Sequence, residues 1–175
     1  HYVRIAESVS IPVLAYNNPD RTNLSIAPAV AAAVAQRAPN FVGLKDSSGD
    51  LTNTMGYISA CPPGFRTFMG RDTLIYAGLS YGCVGAVAAT ANVAPDLVVG
   101  IYNAFQAGDL ALALELQRRL EPLRRAFTLG SFPVVVKDAM ELMGLPAGPC
   151  RAPIQSLTGE PRQELIAILK GMGKL

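Results

Sequence analysis

An α/β fold built from successive βα units, followed by an all-helical tail, is what this chain of 175 residues predicts. Three observations carry the expectation. Short apolar runs of strand length recur, each followed by a polar or Gly-rich turn and then a helical stretch. The strand runs are continuously apolar rather than alternating, the pattern of strands covered on both faces of a parallel sheet. After Gly108 the strand signals stop and only helical periods remain.

Taken in order, Ile11–Tyr16 is the first strand, followed by the loop Asn17-Asn-Pro-Asp-Arg-Thr22. Ser25 is the expected cap of a helix running through Val30 and Val34 to about Arg37, with Pro28 tolerated in its first turn. Phe41–Lys45 is the second strand, Asp46–Asp50 its loop and Leu51–Ala60 its helix. Phe65–Met69 is the third strand. Gly70-Arg-Asp72 follows, with Asp72 capping a helix that ends near Tyr81 and Gly82. Val84–Ala88 is the fourth strand, and Ala94–Ala107 its helix. In the tail, Asp109 caps a long helix with Leu110, Leu114, Leu116, Leu120 and Leu123 on or near one face and a kink at Pro122. Pro133 opens a second helix through Lys137 to Met143, ended by Gly144. A third runs from Glu160 to Lys170 and stops at Gly171. Four βα units in series fit either an open doubly wound sheet or part of a (β/α)8 barrel. No Gly-x-Gly-x-x-Gly follows a strand, so a dinucleotide site has no support.

Composition bounds the function. Fifteen Lys and Arg stand against 13 Asp and Glu, a net charge of +2, and half of the residues are hydrophobic. This excludes disorder and offers no basic stripe for nucleic acid. The apolar stretches fall short of the ~20 residues of a membrane helix. No basic segment with an apolar run opens the chain, so no secretory signal is expected. Charged residues make up only 16%, below the ~25% of an ordinary soluble domain. Much of the surface is therefore expected to be buried against more protein. The chain begins with His1, and a fragment is the expectation. Cys61, Cys83 and Cys150 lack metal-type spacing and read as free thiols of a reducing cytoplasm. One histidine, at the chain end, leaves almost nothing for a His-based metal site or a Ser-His-Asp triad.

Active sites of parallel α/β proteins lie at the C-terminal ends of the strands. Of four lysines, only Lys45 ends an apolar strand. Burial there disfavours the ammonium, and a neutral amine attacks a ketone or aldehyde to give an iminium. The alternative is a lysine snorkelling to solvent. Tyr16 ends the neighbouring strand, where its phenol either relays protons to the amine or is a core hydroxyl with one partner. Arg21 suits a carboxylate bidentately, or caps a loop carbonyl.

Tyr16-Asn-Asn-Pro-Asp-Arg-Thr22, followed by Gly43-Leu-Lys-Asp-Ser-Ser-Gly-Asp50, resembles the paired signatures of the dihydrodipicolinate synthase / N-acetylneuraminate lyase superfamily. Gly70-Arg-Asp72 and Gly85–Asn92 resemble that family's loops after the last two barrel strands, and Lys137 matches a position of its C-terminal helices. The resemblance covers the whole chain. It implies a (β/α)8 TIM barrel, of which residues 1–107 form the C-terminal half and residues 108–175 a three-helix extension. It places the family's carboxylate-holding hydroxyl pair, and a tyrosine reaching the neighbouring subunit, in a preceding half. It implies a Schiff-base lyase in which Lys45 forms an imine with pyruvate or a longer 2-oxo acid and Tyr16 moves protons. Arg21 then binds a carboxylate of the second substrate, and backbone near Val87 and Gly70 positions the pyruvate part. No cofactor or metal is implied, and the partners expected are the 2-oxo acid and copies of the chain in a homotetramer or dimer. Condensation of pyruvate with aspartate semialdehyde is the leading reaction. Arg71, where synthases often carry an acid, and Ala88, where relatives often carry Ser, keep two alternatives open. One is an aldolase or dehydratase acting on 2-keto-3-deoxy sugar acids or 4-hydroxy-2-oxoglutarate. The other is a non-catalytic small-molecule-binding paralogue. Arg71 is expected either to meet a second acid group of the substrate or to bridge to Asp72 and Asp46.

Overall fold

Four parallel strands pair strictly in chain order in a computed structural model that describes residues 1–175. By contact the chain divides into two compact units, His1–Ala88 and Ala89–Leu175. The division at 107/108 followed βα connectivity, whereas this one follows packing and groups the helix after the fourth strand with the tail. The first unit runs α1 (Tyr2–Glu7), β1 (Val13–Asn17), α2 (Pro19–Thr22), α3 (Pro28–Arg37), β2 (Phe41–Asp46), α4 (Leu51–Ala60), β3 (Arg66–Met69), α5 (Ile75–Tyr81) and β4 (Gly85–Ala86). The order β1-β2-β3-β4 has no reversal. A doubly wound sheet reverses at its switch point; a barrel does not.

Register assigns the faces. Tyr16 pairs with Lys45, Lys45 with Phe68 and Phe68 with Gly85, so these four share one face. Asn17, Asp46 and Met69 share the other. The second face is covered by helices: Ala15 and Leu44 pack with Ala31, Val34 and Ala38 of the α3 region and with Tyr57 of α4. The first face is open. Leu14 is 47% exposed and Tyr16 53%. The apolar runs alone predict cover on both faces. In a closed barrel the uncovered face lines the interior, where side chains from all the strands fill it.

Several boundaries differ from expectation for local reasons. Helix α3 starts at Pro28, with Ala27 as its cap residue and no side-chain cap, so Ser25 does not cap it. Proline's fixed φ sets the first turn there instead. Asp72 lies buried inside a 3-10 turn, Asp72–Leu74, ahead of α5, whose cap residue is Leu74. The fourth strand is only Gly85–Ala86, and a 3-10 turn follows at Ala89–Asn92. The short helices α1 and α2 were unforeseen. Asp50 does cap α4, accepting from the Thr52 and Asn53 amides. Gly82, at φ 105°, ends α5 in a conformation that strains any residue with a Cβ.

The second unit is helical: α6 (Pro95–Gln106), α7 (Leu110–Arg125), α8 (Val134–Leu142) and α9 (Gly159–Gly171). Asp109 caps α7 by accepting from the Leu112 amide. The α7 helix continues through Pro122 to Arg125. Its buried stripe is Ala113, Gln117, Leu120 and Leu123. Leu110, expected on that stripe, is exposed, because the apolar face follows the i, i+4, i+7 period from Ala113. The stop of α9 is Met172, followed by Gly173 at φ 68°, rather than Gly171. No helix is long and apolar enough to cross a membrane.

Candidate functional site

The C-terminal ends of β1 and β2 bring Tyr16 and Lys45 together because the two residues are register partners on adjacent parallel strands. Lys45 is half-buried, and its Nζ lies 4.0 Å from the centroid of the Tyr16 ring. The Ser47 hydroxyl and the Lys45 amine lie near the Tyr16 hydroxyl and favour its ionised form. The Tyr16 hydroxyl also accepts from Asn18 Nδ2 at 3.1 Å. Burial pushes this phenol up, but the Ser47 hydroxyl, the Lys45 amine with its charge and the Asn18 amide together hold it below the ordinary phenol range. A phenol so placed gives and takes a proton more readily near neutrality.

The backbone behind these side chains is fixed from the covered face. Asp46, 1% exposed, accepts from Asn17 Nδ2 at 2.9 Å, from the Ser48 amide at 3.0 Å and from Thr54 Oγ1 at 2.6 Å. Asn17 Oδ1 in turn accepts from the Ile26 amide at 2.9 Å. The Ser47 amide donates to the Asn17 carbonyl. One buried carboxylate therefore ties the loop after β1 to the loop after β2, directly behind Tyr16 and Lys45. A buried acceptor with three donors has little freedom to move, which fixes the angle at which both strand ends leave the sheet.

Gly70 stands beside this pair. A methyl group on its Cα would overlap the Ser47 hydroxyl and press on Lys45 Cε, so glycine is what leaves room for both. The Gly70 amide donates to the Asp46 carbonyl and the Val87 amide to the Met69 carbonyl. Neither N–H is thus available to a ligand. What these two residues offer is space, carbonyl oxygens and, at Val87, a side chain 49% exposed.

Arg21 is exposed on the helical turn α2. Arg71 reaches away from Asp46. Its Nη2 donates to Asp20 Oδ2 at 2.9 Å and to the Ser48 carbonyl at 3.2 Å. The expected bridge to Asp46 fails because that carboxylate points to the covered face and is saturated there. Sequence reasoning missed Ser47, Asn18 and Asp20. The polar residues immediately following each strand were the available signal, since that is where a barrel's loops converge. No three His, Cys, Asp or Glu side chains converge as a metal-ligating group.

Residues 1–172 match the dihydrodipicolinate synthetase family. The whole chain is 38% identical to a 4-hydroxy-tetrahydrodipicolinate synthase of Methanopyrus kandleri, of which it covers 58%. It superposes on the crystal structure of the dihydrodipicolinate synthase of Thermotoga maritima with a TM-score of 0.94 at 29% identity, covering all of this chain and 60% of that one. It superposes on YagE, a prophage protein of the same family from E. coli K12 solved in complex with pyruvate. There the TM-score is 0.92 at 27% identity, covering 98% of this chain and 59% of that one. The chain thus spans about three-fifths of the length of these relatives. The likeness is to the second half of a (β/α)8 barrel with its C-terminal helices.

Proposed function

Given that the chain belongs to the dihydrodipicolinate synthetase family, we propose that it carries the Schiff-base half of a pyruvate-dependent lyase, most like 4-hydroxy-tetrahydrodipicolinate synthase. The observation that carries this reading is Lys45 Nζ over the Tyr16 ring, 4.0 Å from its centroid, at the ends of paired strands. The unprotonated amine attacks C2 of pyruvate. Tyr16 delivers a proton to the resulting oxygen, water leaves, and the iminium remains on Lys45. The Tyr16 phenolate takes a C3 proton to give the enamine, whose C3 attacks the aldehyde carbon of aspartate semialdehyde; the phenol returns that proton to the new alkoxide, and the acceptor's amine attacks C2 and displaces the Lys45 amine. Arg21 holds that substrate's carboxylate, and binding both reactants side by side supplies much of the acceleration.

Pyruvate bound to YagE, a relative with the same architecture, supports the 2-oxo acid as first substrate. The name of the M. kandleri relative supports the acceptor. We extend the proposal to a homotetramer or dimer in a reducing cytoplasm. The exposed apolar side chains Ile11, Leu24 and Val99 and the three free cysteines support that extension. The reaction on this reading needs no cofactor beyond the covalent imine.

The test is to incubate the protein with pyruvate and borohydride, digest it and weigh the peptides. Reductive trapping on the peptide containing Lys45, abolished in Lys45→Ala, is the expected result. An unmodified Lys45 peptide overturns the reading and favours a non-catalytic binding protein. Condensation with aspartate semialdehyde, assayed against pyruvate release from keto-deoxy acids, then separates synthase from cleavage enzyme.

A further inference from the structure

The guanidinium of Arg71 touches three strand-end loops at once. It comes from the loop after β3. Its Nη2 reaches Asp20 in the loop after β1 at 2.9 Å and the Ser48 carbonyl in the loop after β2 at 3.2 Å. Its face lies across Gly49, whose backbone sits at φ 79°. A Cβ there would come within 3.1 Å of Arg71 Nε, so the guanidinium rests on bare backbone. The Arg71 side chain is 25% exposed and that of Asp20 60%, a seat on one side and an open ion pair on the other. Asp20 and Arg21 are neighbours on the four-residue helix α2. Within this turn the Arg21 and Thr22 amides and the Thr22 hydroxyl donate to the Asn18 carbonyl, and the Asn23 amide to the Pro19 carbonyl. A single helical turn is marginal by itself.

We propose that Arg71 is a positioning residue: its guanidinium straps α2 to the loops after β2 and β3, and thereby sets where Arg21 presents its charge to the carboxylate of the second substrate. The inference rests on the reading of Arg21 as that carboxylate's partner. It assigns Arg71 a task other than binding substrate itself. With Asp20 and the Ser48 carbonyl already on its Nη2, Arg71 acts on acceptor affinity through α2 and not on imine formation, which happens at Lys45.

Asp20→Asn separates the two possible tasks. It removes the ion pair while leaving Arg71 and Arg21 in place. The strap predicts faster hydrogen exchange at the amides of Arg21, Thr22 and Asn23. It also predicts an acceptor KM raised about two- to fivefold, the size a part-exposed ion pair supports. A fall in acceptor KM overturns the proposal, because a liberated Arg71 is then itself an anion site. Unchanged exchange across residues 21–23 overturns it too, whatever the kinetics. An equal rise in the KM of pyruvate overturns it as well, since the effect is then general. Should wild-type Lys45 fail to trap pyruvate, the catalytic reading falls on that result alone. The exchange measurement still decides whether Arg71 straps α2.

Discussion

At the scale of single residues, the site turns on how one phenol is surrounded. Tyr16 is held below the ordinary phenol range against the upward push of burial, by Ser47, Lys45 and Asn18. Removing a donor raises the phenol, because the hydrogen bond favours the ionised form. Ser47→Ala is therefore expected to move the limb of the pH–rate profile that belongs to Tyr16 toward higher pH. Tyr16→Phe removes that limb and lowers kcat by the 10²–10⁴-fold typical of a lost general acid–base group. A pH profile of kcat/KM for wild type and both variants checks this; an unmoved limb in Ser47→Ala removes Ser47 from the proton path. Lys45 was legible from the sequence because only one lysine ends an apolar strand. Ser47 was not, because nothing local reveals that its hydroxyl turns toward a residue on the neighbouring strand.

At the scale of elements, the buried carboxylate of Asp46 is what keeps β1, β2 and α4 in fixed relation. It accepts from one side chain on each of β1 and α4 as well as from its own loop. Truncation takes the acceptor from the Asn17 amide group and the Ser48 N–H, while Thr54 Oγ1 keeps the Asp50 carbonyl at 3.1 Å. Asp46→Ala is expected to cost on the order of 3 kcal/mol, and Thr54→Val about 1 kcal/mol, since it removes one donor and leaves the acceptor two others. Urea unfolding midpoints at constant m-value measure both. Equal costs for the two would mean that the carboxylate does not organise the network. Apart from the short α1 and α2, the helices and strands were readable to within a few residues, from apolar runs, Asp109 and Gly82. The failures fell where a local signal competed with a stronger neighbour. Ser25 lost to Pro28 as the start of a helix, and the buried stripe of α7 keeps the expected Leu120 and Leu123 but takes Ala113 and Gln117 in place of Leu110, Leu114 and Leu116.

At the scale of the molecule, thiol chemistry reports opening of the first unit. Burial and the nearby Asp46 charge push the Cys83 thiol up to about 11, so little thiolate exists in the native state at pH 8. Iodoacetamide at pH 8 is expected to spare Cys83 in the folded protein and to modify it only under denaturant. Loss of Leu44, fully buried in the core of that unit, should speed the modification, because Leu→Ala in such a place costs about 2–5 kcal/mol. Mass spectrometry of the alkylated peptides checks it, and rapid native labelling of Cys83 would contradict the burial described.

The sequence by itself determined the βα rhythm, the helical tail, and the identity of the lysine and tyrosine at the strand ends. All of these are properties of local period and punctuation, which a chain carries without knowing its partners. Tertiary structure alone decided which sheet face is covered, that Asp46 serves the scaffold, and that Arg71 meets Asp20 across 51 residues. The physical reason is that such pairings depend on strand register and on competition among acceptors. A guanidinium takes the carboxylate that the folded backbone leaves open to it, and that choice exists only once the strands are side by side.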